Sequence, residues 1–167
     1  MAVRDIRLFG DPVLKTQCEP IRSFDEKVSA LVEDLLETTS LPGRAGVAAP
    51  QIGVSLRAFS FHVDKQLGYV LNPTLIEVSG ELRLVEEGCL SLPGLWHNTP
   101  RYEQARVAGF DRNGEPIEIS ATGLLAQAFQ HECDHLDGVL YVDRLEPDER
   151  KEAMRQLRAS EWFLSRS

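Results

Sequence analysis

The stretch Gln130-His131-Glu132-Cys133-Asp134-His135 constrains this chain more than any other, because it contains the pattern H-E-x-x-H within a predicted helix. On an α-helix, with about 100° per residue, His131 and His135 lie within about 40° of each other, one turn apart. Two histidines at this spacing commonly give one metal ion two ligands, with the intervening Glu132 as general base. The motif therefore predicts a metal site on a helix.

The residues around the motif predict that it faces the core. One side of the helix is apolar and carries Leu124, Leu125, Ala128, Phe129 and Leu136. The other side is expected to be polar and carries Gln127, Gln130, Asp134 and Asp137. Burying the carboxylate of Glu132 without a partner is costly, and a metal ion would supply a partner. We therefore expect the two imidazoles and this carboxylate to point inward around a metal.

Length and composition exclude several classes of protein. The 167 residues suffice for one domain, which we expect to span residues 1–167. The net charge of -8 argues against DNA or general nucleic-acid binding. No apolar run has membrane-spanning length, and Met1–Gly10 lacks the apolar core of a signal peptide, so we expect a cytoplasmic protein without a membrane partner. The three cysteines are a poor disulfide framework, which leaves at least one as a possible thiolate ligand.

Hydrophobic periodicity and end signals predict three helices. The first spans about 24–39, where the capping-box spacing Ser23–Glu26 precedes apolar residues at i, i+3, i+4, i+7 and i+8. The motif helix spans about 123–136, and Gly138 stands where a C-terminal glycine cap belongs. A last helix opens at Glu146–Glu149.

Alternation predicts strands between residues 56 and 87, divided by Pro73, and a hairpin of 104–110 with 117–120 around Asp111–Gly114. Trp96–Pro100 is expected to be a loop and Val139–Val142 a short strand. Helices and strands follow one another without βαβ order. The prediction is an α+β fold, with antiparallel or mixed sheets packed around a central H-E-x-x-H helix, and with an N-terminal and a C-terminal helix.

Two further segments have alternative interpretations. Small residues dominate Ala45–Gly53, which is typical of a tight structural loop or of close approach to a ligand, and Gln51 is the polar side chain in its middle. In Glu87–Ser91, Cys89 is either a buried small hydrophobe or the third ligand that a site with two histidines requires. His97 is an alternative third ligand without a supporting local pattern.

Three separated segments resemble the motifs of one family, the peptide deformylases, which remove the formyl group from the initiator methionine of new bacterial proteins. Gly46–Gln51 matches the family's glycine-rich motif, Glu87–Ser91 matches Glu-Gly-Cys-Leu-Ser, and Gln130–His135 matches Gln-His-Glu-x-x-His. The resemblance runs from about Ile6 to Leu145. H-E-x-x-H alone is shared by many zinc peptidases, whereas the three motifs in this order are specific.

The resemblance implies that Cys89, His131 and His135 hold one divalent metal ion and leave a fourth position open, as in catalytic sites. A mixed thiolate and imidazole site suits ferrous iron or zinc. By resemblance we expect Fe²⁺ in the cell, with Zn²⁺, Ni²⁺ or Co²⁺ as alternatives.

The resemblance also assigns catalytic roles. It implies that Glu132 accepts a proton from the attacking water and passes it to the departing amine. It assigns oxyanion stabilisation to the side-chain amide of Gln51 and the backbone N–H of Leu90. A salt bridge from Glu87 to Arg101 is implied as a support for the Cys89 segment.

The implied substrate is the nascent formyl-methionyl polypeptide, and the implied products are formate and a free amino terminus. The residues implied for the methionine pocket are small or apolar, apart from one metal ligand: Ala45, Gly46, Leu90, Leu124, Ala128 and His131. The ribosome is a further candidate partner. Residues 148–167 carry five basic and four acidic residues, however, which does not favour strong RNA binding by the last helix.

Two departures from the family pattern concern substrate preference. Arg44 stands where the first motif usually begins with glycine, and Trp96 and His97 stand where many members carry a basic residue.

Two rival hypotheses for the function also remain. An H-E-x-x-H endopeptidase would take its third ligand from beyond the helix, where the candidates are Glu146, Glu149, Glu152 and Glu161. A structural metal site would need a fourth protein ligand, either Cys133 or His97.

Overall fold

The computed structural model describes residues 2–165. It contains four α-helices in this part of the chain: α1 (Glu26–Thr39), α2 (Gly123–Leu136), α3 (Pro147–Ala159) and the short α4 (Glu161–Leu164). Short 3-10 helices occupy Pro12–Lys15, Ala49–Ile52 and Tyr141–Arg144. In residues 2–165, no helix has both the length and the apolar character needed to cross a bilayer.

Five strands form one sheet in the order β1-β2-β3-β4-β5, and every neighbouring pair is antiparallel. The strands are β1 (Gly46–Ala48), β2 (Ala58–Val63), β3 (Gln66–Cys89), β4 (Leu92–Phe110) and β5 (Pro116–Thr122). One isolated parallel bridge joins Glu19 to Leu56. The predicted α+β class with antiparallel or mixed sheet is therefore the observed one.

The long β3–β4 hairpin differs from the prediction in two places. The expected break at Pro73 does not end β3, because a register shift between Leu71 and Thr74 accommodates the missing N–H donor. The expected loop at Trp96–Pro100 is wrong, because these residues pair with Leu84–Gly88 of β3. The hairpin turns at Leu90–Ser91, directly after Cys89, which brings the cysteine to the tip of the hairpin.

The ends of the helices follow local rules. Helix α1 begins two residues later than predicted, because the side chain of Asp25, and not Ser23, caps it by accepting from the backbone N–H groups of Lys27 and Val28. Helix α2 has the predicted bounds. Gly138 follows it with a φ of 75° and donates its N–H to the carbonyl of His135, as a C-terminal cap does. The predicted strand at 139–142 is wrong, since residues 139 and 140 are irregular and the 3-10 helix Tyr141–Arg144 takes in the other two.

Helix α2 lies in the middle of the fold and packs on the sheet. Phe129 on α2 and Phe59 and Phe61 on β2 form a cluster of aromatic rings with centroid separations of 5.4–6.5 Å. All three are buried, and Leu136 at the end of α2 is buried with them. The segment Ala45–Gly53, for which a tight loop or close approach to a ligand was expected, contains β1 and the 3-10 helix Ala49–Ile52 beside α2. This packing fixes the motif helix against the sheet.

Candidate metal centre

Three potential metal-ligand atoms converge where the tip of the β3–β4 hairpin meets α2. They belong to Cys89, His131 and His135, and all lie within 4.8 Å of one another. The Cys89 sulfur is 3.4 Å from Nε2 of His135, which is 3.2 Å from Nε2 of His131. Both histidines are buried and the cysteine is partly buried. The structure thus brings together the thiolate and the two imidazoles that the sequence analysis singled out.

Glu87 holds the ring of His131 in a defined orientation. Nδ1 of His131 donates to Oε2 of Glu87 over 2.6 Å, which leaves Nε2 as the nitrogen that faces the cluster. Burial alone raises the pKa of Glu87, but hydrogen bonds from Arg101 and His131 outweigh it and hold the pKa at about 2. Glu87 is therefore a carboxylate at neutral pH, as a partner of a metal-binding histidine should be.

Arg101 connects this carboxylate to the motif helix. Its guanidinium donates to both oxygens of Glu87 over 2.9 and 2.7 Å and to Asp134 over 2.8 Å. Arg144 donates to both oxygens of Asp134 from the other side. The salt bridge implied between Glu87 and Arg101 is therefore present. It forms part of a larger buried network that ties β3, β4 and α2 together.

This network corrects one expectation for the motif helix. Gln130 and Asp134, which were expected on a polar outer side, are both buried. Gln130 exchanges hydrogen bonds with the backbone of Tyr102 on β4. The carboxylate of Asp134 accepts hydrogen bonds from Arg101 and Arg144. A buried polar side chain is stable only when it is hydrogen-bonded, and here the partners come from distant parts of the sequence. Leu124, expected on the buried side, is 54% exposed.

Glu132 is a buried carboxylate without a full set of partners. It is 3% exposed, and its Oε1 has no hydrogen-bond partner in the described part of the chain. Burial raises its pKa to about 7, against the opposing effect of the positive charge on His131. A pKa near neutrality suits a group that takes up and releases a proton during turnover. The carboxylate lines the same cavity as Cys89 and His131.

The donor set fits a divalent metal ion. A thiol and two imidazoles are ligands of borderline metals such as zinc and ferrous iron. Burial lowers the pKa of His131, but the carboxylate of Glu132 and the sulfur of Cys89 outweigh it and raise the pKa well above its ordinary value, so the cluster favours an added positive charge. Burial lowers the pKa of His135, which keeps this imidazole neutral, as a ligand must be. Nδ1 of His135 is buried and has no hydrogen-bond partner within residues 2–165.

Gln51 is held so that its amide group points at the cluster. The backbone N–H of Ala48 donates to its Oε1 over 2.9 Å, which fixes the orientation of the amide. Its Nε2 then donates to Oγ of Ser91 over 3.2 Å and lies 3.6 Å from the sulfur of Cys89. Gln51 is 1% exposed. The amide N–H₂ is therefore an uncharged donor directed towards the cluster.

A cavity of about 380 Å³ opens beside the cluster, between the hairpin tip, α2 and the segment before β1. Its wall includes every residue that the resemblance implied for substrate binding, namely Ala45, Gly46, Leu90, Leu124, Ala128 and His131. Arg44 and Trp96, the two departures from the family pattern, also line it. Gln127 and Glu86, which no sequence motif indicated, line it as well. The amide of Gln127 donates to the backbone carbonyl of Glu86 and joins α2 to β3 at the cavity wall.

The alternative ligands lie outside the cluster. Nδ1 of His97 is 2.6 Å from Oε2 of Glu149 on α3, so these two residues partner each other. Cys133 is buried in the core beside Phe129, and burial raises the pKa of its thiol to about 12. Neither His97 nor Cys133 belongs to the cluster identified among residues 2–165. The ligand sets expected for a closed structural site and for an endopeptidase with a glutamate third ligand are therefore not assembled in the described chain.

Known proteins resemble this chain over most of its length. A family model described as Polypeptide deformylase matches residues 3–151. The chain is 52% identical over 162 residues to a peptide deformylase of Acidothermus cellulolyticus, an alignment that covers 97% of this chain and 89% of the relative.

The chain belongs to the polypeptide deformylase family.

Further members of the family agree in sequence and in fold. Peptide deformylase 1 of Corynebacterium efficiens is 47% identical over 167 residues, covering 98% of this chain and 99% of the relative. The crystal structure of a peptide deformylase from Legionella pneumophila superposes with a TM-score of 0.89 at 38% identity and covers 99% of both chains. The peptide deformylase from Thermus thermophilus gives a TM-score of 0.87 at 41% identity and covers 94% of both chains.

Family membership confirms the predicted resemblance and the predicted enzyme class, a hydrolase that removes the N-formyl group from peptides. The α+β fold is likewise confirmed. Deformylases are metal-dependent, and the cluster of one cysteine and two histidines is a metal-site candidate in this deformylase.

Proposed function

We propose that this chain releases formate from N-formyl-methionyl peptides through a metal site of Cys89, His131 and His135, with Glu132 as the group that moves the proton. The observation that carries the proposal is the convergence of three ligand atoms within 4.8 Å, next to a buried carboxylate that has an orphaned oxygen. A bound divalent metal would polarise the formyl carbonyl and lower the pKa of the attacking water. We propose Fe²⁺ as the metal in the cell, as the family resemblance implies, with Zn²⁺, Ni²⁺ or Co²⁺ as substitutes that the mixed sulfur and nitrogen ligand set also suits.

Glu132 is proposed to act first as a base and then as an acid. Its unpartnered Oε1 takes a proton from the water as the water oxygen forms a bond with the formyl carbon. The same carboxyl group then gives the proton to the methionine nitrogen as the carbon–nitrogen bond breaks. Formate and a free amino terminus leave. A pKa of about 7 allows both steps near neutral pH without a large energetic cost for either.

Gln51 and Leu90 are proposed to stabilise the negative charge that develops on the formyl oxygen. The amide of Gln51 is fixed by Ala48 and directed at Cys89, so little reorganisation is needed during the reaction. Leu90 lies in the turn after Cys89 and lines the cavity, where its backbone N–H is a suitable second donor. Removing one such donor is expected to cost about 3–4 kcal/mol of transition-state stabilisation.

The proposed place of the methionine side chain is the apolar part of the cavity wall. The residues proposed for it are Ala45, Gly46, Leu90, Leu124, Ala128 and His131, which all line the cavity. Small side chains at three of these positions leave room for an unbranched thioether. The exposure of Leu124, at 54%, supports its availability to a substrate.

The extent of the catalytic domain, the cellular location and the partners of the enzyme are also proposed. We propose one catalytic domain over residues 1–167, because α2 packs on the same sheet that carries the third ligand. Since the substrate is made during translation, we propose that the enzyme works in the cytoplasm and meets the nascent chain near the ribosome. Helix α3 carries four basic and three acidic residues, which favours encounter through the peptide and not through strong RNA binding.

The direct experiment measures formate and free amine released from formyl-Met-Ala-Ser by protein purified without oxygen, with acetyl-Met-Ala-Ser as the control substrate. The proposal predicts equal amounts of both products from the formyl peptide, no turnover of the acetyl peptide, loss of activity with a chelator, and recovery when Fe²⁺ or Zn²⁺ is returned. Cleavage of internal peptide bonds would support an endopeptidase instead. Bound metal with no turnover of the formyl peptide would support a structural metal site.

A further inference from the structure

Trp96 is a largely exposed aromatic side chain at the mouth of the metal-site cavity. It is 63% exposed, although its neighbours on β4, Leu95 and His97, are buried. It also lines the same cavity as Cys89 and Glu132. Single exposed apolar residues are common on protein surfaces, but an exposed indole on the wall of a catalytic cavity is available to whatever enters that cavity.

The indole of Trp96 lies against Gly88 on the neighbouring strand. Gly88 pairs with Trp96 across the β3–β4 hairpin. A Cβ at Gly88 would lie 2.7 Å from ring carbons Cε3 and Cζ3 of Trp96, closer than nonbonded carbon atoms approach. The ring therefore occupies the space that a side chain at position 88 would take. Gly88 directly precedes the candidate thiolate ligand Cys89. A glycine at this position allows the indole to lie against the backbone close to the ligand cluster.

The indole is separate from the positions proposed for the methionine side chain. Those positions lie on α2, at Ala45 and Gly46 where β1 begins, and at Leu90, whereas Trp96 and Gly88 pair with each other across the β3–β4 hairpin. A peptide substrate continues beyond its methionine and must leave the cavity through its mouth. Each extended residue spans about 3.3–3.6 Å, so the next residues of the peptide stay close to the cavity wall.

We propose that the indole of Trp96, seated on Gly88, is a specificity platform that favours formylated peptides with an apolar or aromatic residue directly after the formyl-methionine or one position further. This inference rests on the proposed function, because the occupant of the platform is the peptide that the site hydrolyses. The platform acts through burial of apolar surface and ring contacts, which a serine side chain does not provide. Trp96 touches no reacting atom, so its effect falls on KM more than on kcat.

The test compares kcat/KM for formyl-Met-Xaa-Ser and formyl-Met-Ala-Xaa, with leucine, phenylalanine or serine at Xaa. In the unaltered enzyme, we expect kcat/KM for the peptides with leucine or phenylalanine to be about threefold to tenfold higher than for the serine peptide at one of these positions. Trp96→Ala should reduce this ratio to less than about twofold, mainly through KM, and Trp96→Phe should keep most of it. The matched control is Leu82→Ala, because Leu82 is 56% exposed on β3 of the same hairpin but is not part of the cavity wall. This variant should keep the full ratio.

Several results would overturn the platform. An unchanged ratio in Trp96→Ala, or equal kcat/KM for all peptides in the unaltered enzyme, would contradict it while leaving the deformylase proposal intact. A dimer that dissociates on Trp96→Ala substitution, with an unchanged peptide ratio, would assign the indole to a second copy of the chain. Absence of turnover with every formyl peptide would contradict the proposed function itself, and the platform with it.

Discussion

Oε2 of Glu87 on β3 and Nδ1 of His131 on α2 are joined by a hydrogen bond of 2.6 Å, although the two residues are 44 positions apart in the chain. Both side chains are buried. The bond fixes the tautomer of His131, so that Nε2 faces Cys89 and His135. The strand that ends at the thiolate thus also orients one of the imidazoles.

Replacing Glu87 with glutamine should weaken metal binding without unfolding the protein. Glutamine can still accept the hydrogen bond from His131, but it lacks the negative charge that makes the imidazole a stronger ligand. Loss of such a partner typically lowers metal affinity by about 10–100-fold. The measurement is a competition titration with a metal chelator. The control is Glu86→Gln, since Glu86 is the exposed preceding residue. Equal affinities in the two variants would contradict the role given to Glu87.

Replacing Arg101 with methionine should destabilise the fold strongly. Arg101 is 4% exposed and is shared by Glu87 and Asp134, so its loss leaves two buried carboxylates with fewer partners. The expected loss in free energy of unfolding is about 3–5 kcal/mol. Arg83→Met is the matched control, because Arg83 pairs with Arg101 in the β3–β4 register but is 54% exposed in its ion pair with Glu103. This control should change stability by less than about 0.5 kcal/mol in the same denaturant titration.

Adding a methyl group at Gly46 should disturb the proposed base. A Cβ at this position would lie 2.6 Å from Oε2 of Glu132, so Gly46→Ala must move the carboxylate. We expect kcat to fall by about tenfold or more, since small displacements of a catalytic group are costly. The test is a double-mutant cycle with Glu132→Gln. If the methyl group acts through Glu132, it causes little further loss in the Glu132→Gln background. If the double variant instead loses kcat by the product of the two separate fold-losses, Gly46 acts independently of Glu132.

Local signals in the sequence predicted the motif helix and its surroundings well. The bounds of α2, the cap at Gly138 and the hairpin around Asp111–Gly114 depend on residues close together in the chain, and the structure has them as predicted. The family motifs further directed attention to Cys89 and Gln51, which periodicity alone left ambiguous. Both of these side chains lie on the wall of the cavity beside the ligand cluster.

The errors have a common physical cause, which is pairing between distant segments. Trp96–Pro100 was expected to be a loop, but pairing with β3 makes it a strand. Asp134 was expected on the polar outer side of the helix from its helical angle, but Arg101 and Arg144 provide partners from elsewhere in the chain. The position of Glu132 against Gly46 also depends on the packing of α2 on β1, which no local pattern encodes.

The ion pair of Asp34 on α1 should make stability depend on pH at the acid end. Burial raises the pKa of Asp34, but hydrogen bonds from the backbone of Ala2 and from Arg4 outweigh it and hold the pKa below its usual value of 3.8. The resulting stability is therefore present above that value and is lost as pH falls through the lower folded pKa. Asp34→Asn should lower the free energy of unfolding at pH 7 by about 1 kcal/mol, because Arg4 is largely exposed.

Urea titrations from neutral to acid pH check this prediction for Asp34. The difference between the unaltered protein and Asp34→Asn should shrink towards the acid end. Glu37→Gln removes one acidic group from the same helix and serves as the control for a general change in charge. A difference that stays constant across the whole range would assign the effect of Asp34→Asn to packing and not to the charge.

The most direct test of the central claim compares Glu132→Gln with the unaltered enzyme, using metal content and deformylation of formyl-Met-Ala-Ser measured on the same samples. Glu132 is proposed to move the proton but not to hold the metal, and glutamine keeps its size while removing its basicity. We predict one metal ion per chain in both proteins and a fall in kcat of about 10²–10⁴-fold in the variant. A variant that retains the metal and hydrolyses the formyl peptide at the native rate would contradict the assignment of Glu132 as the catalytic base.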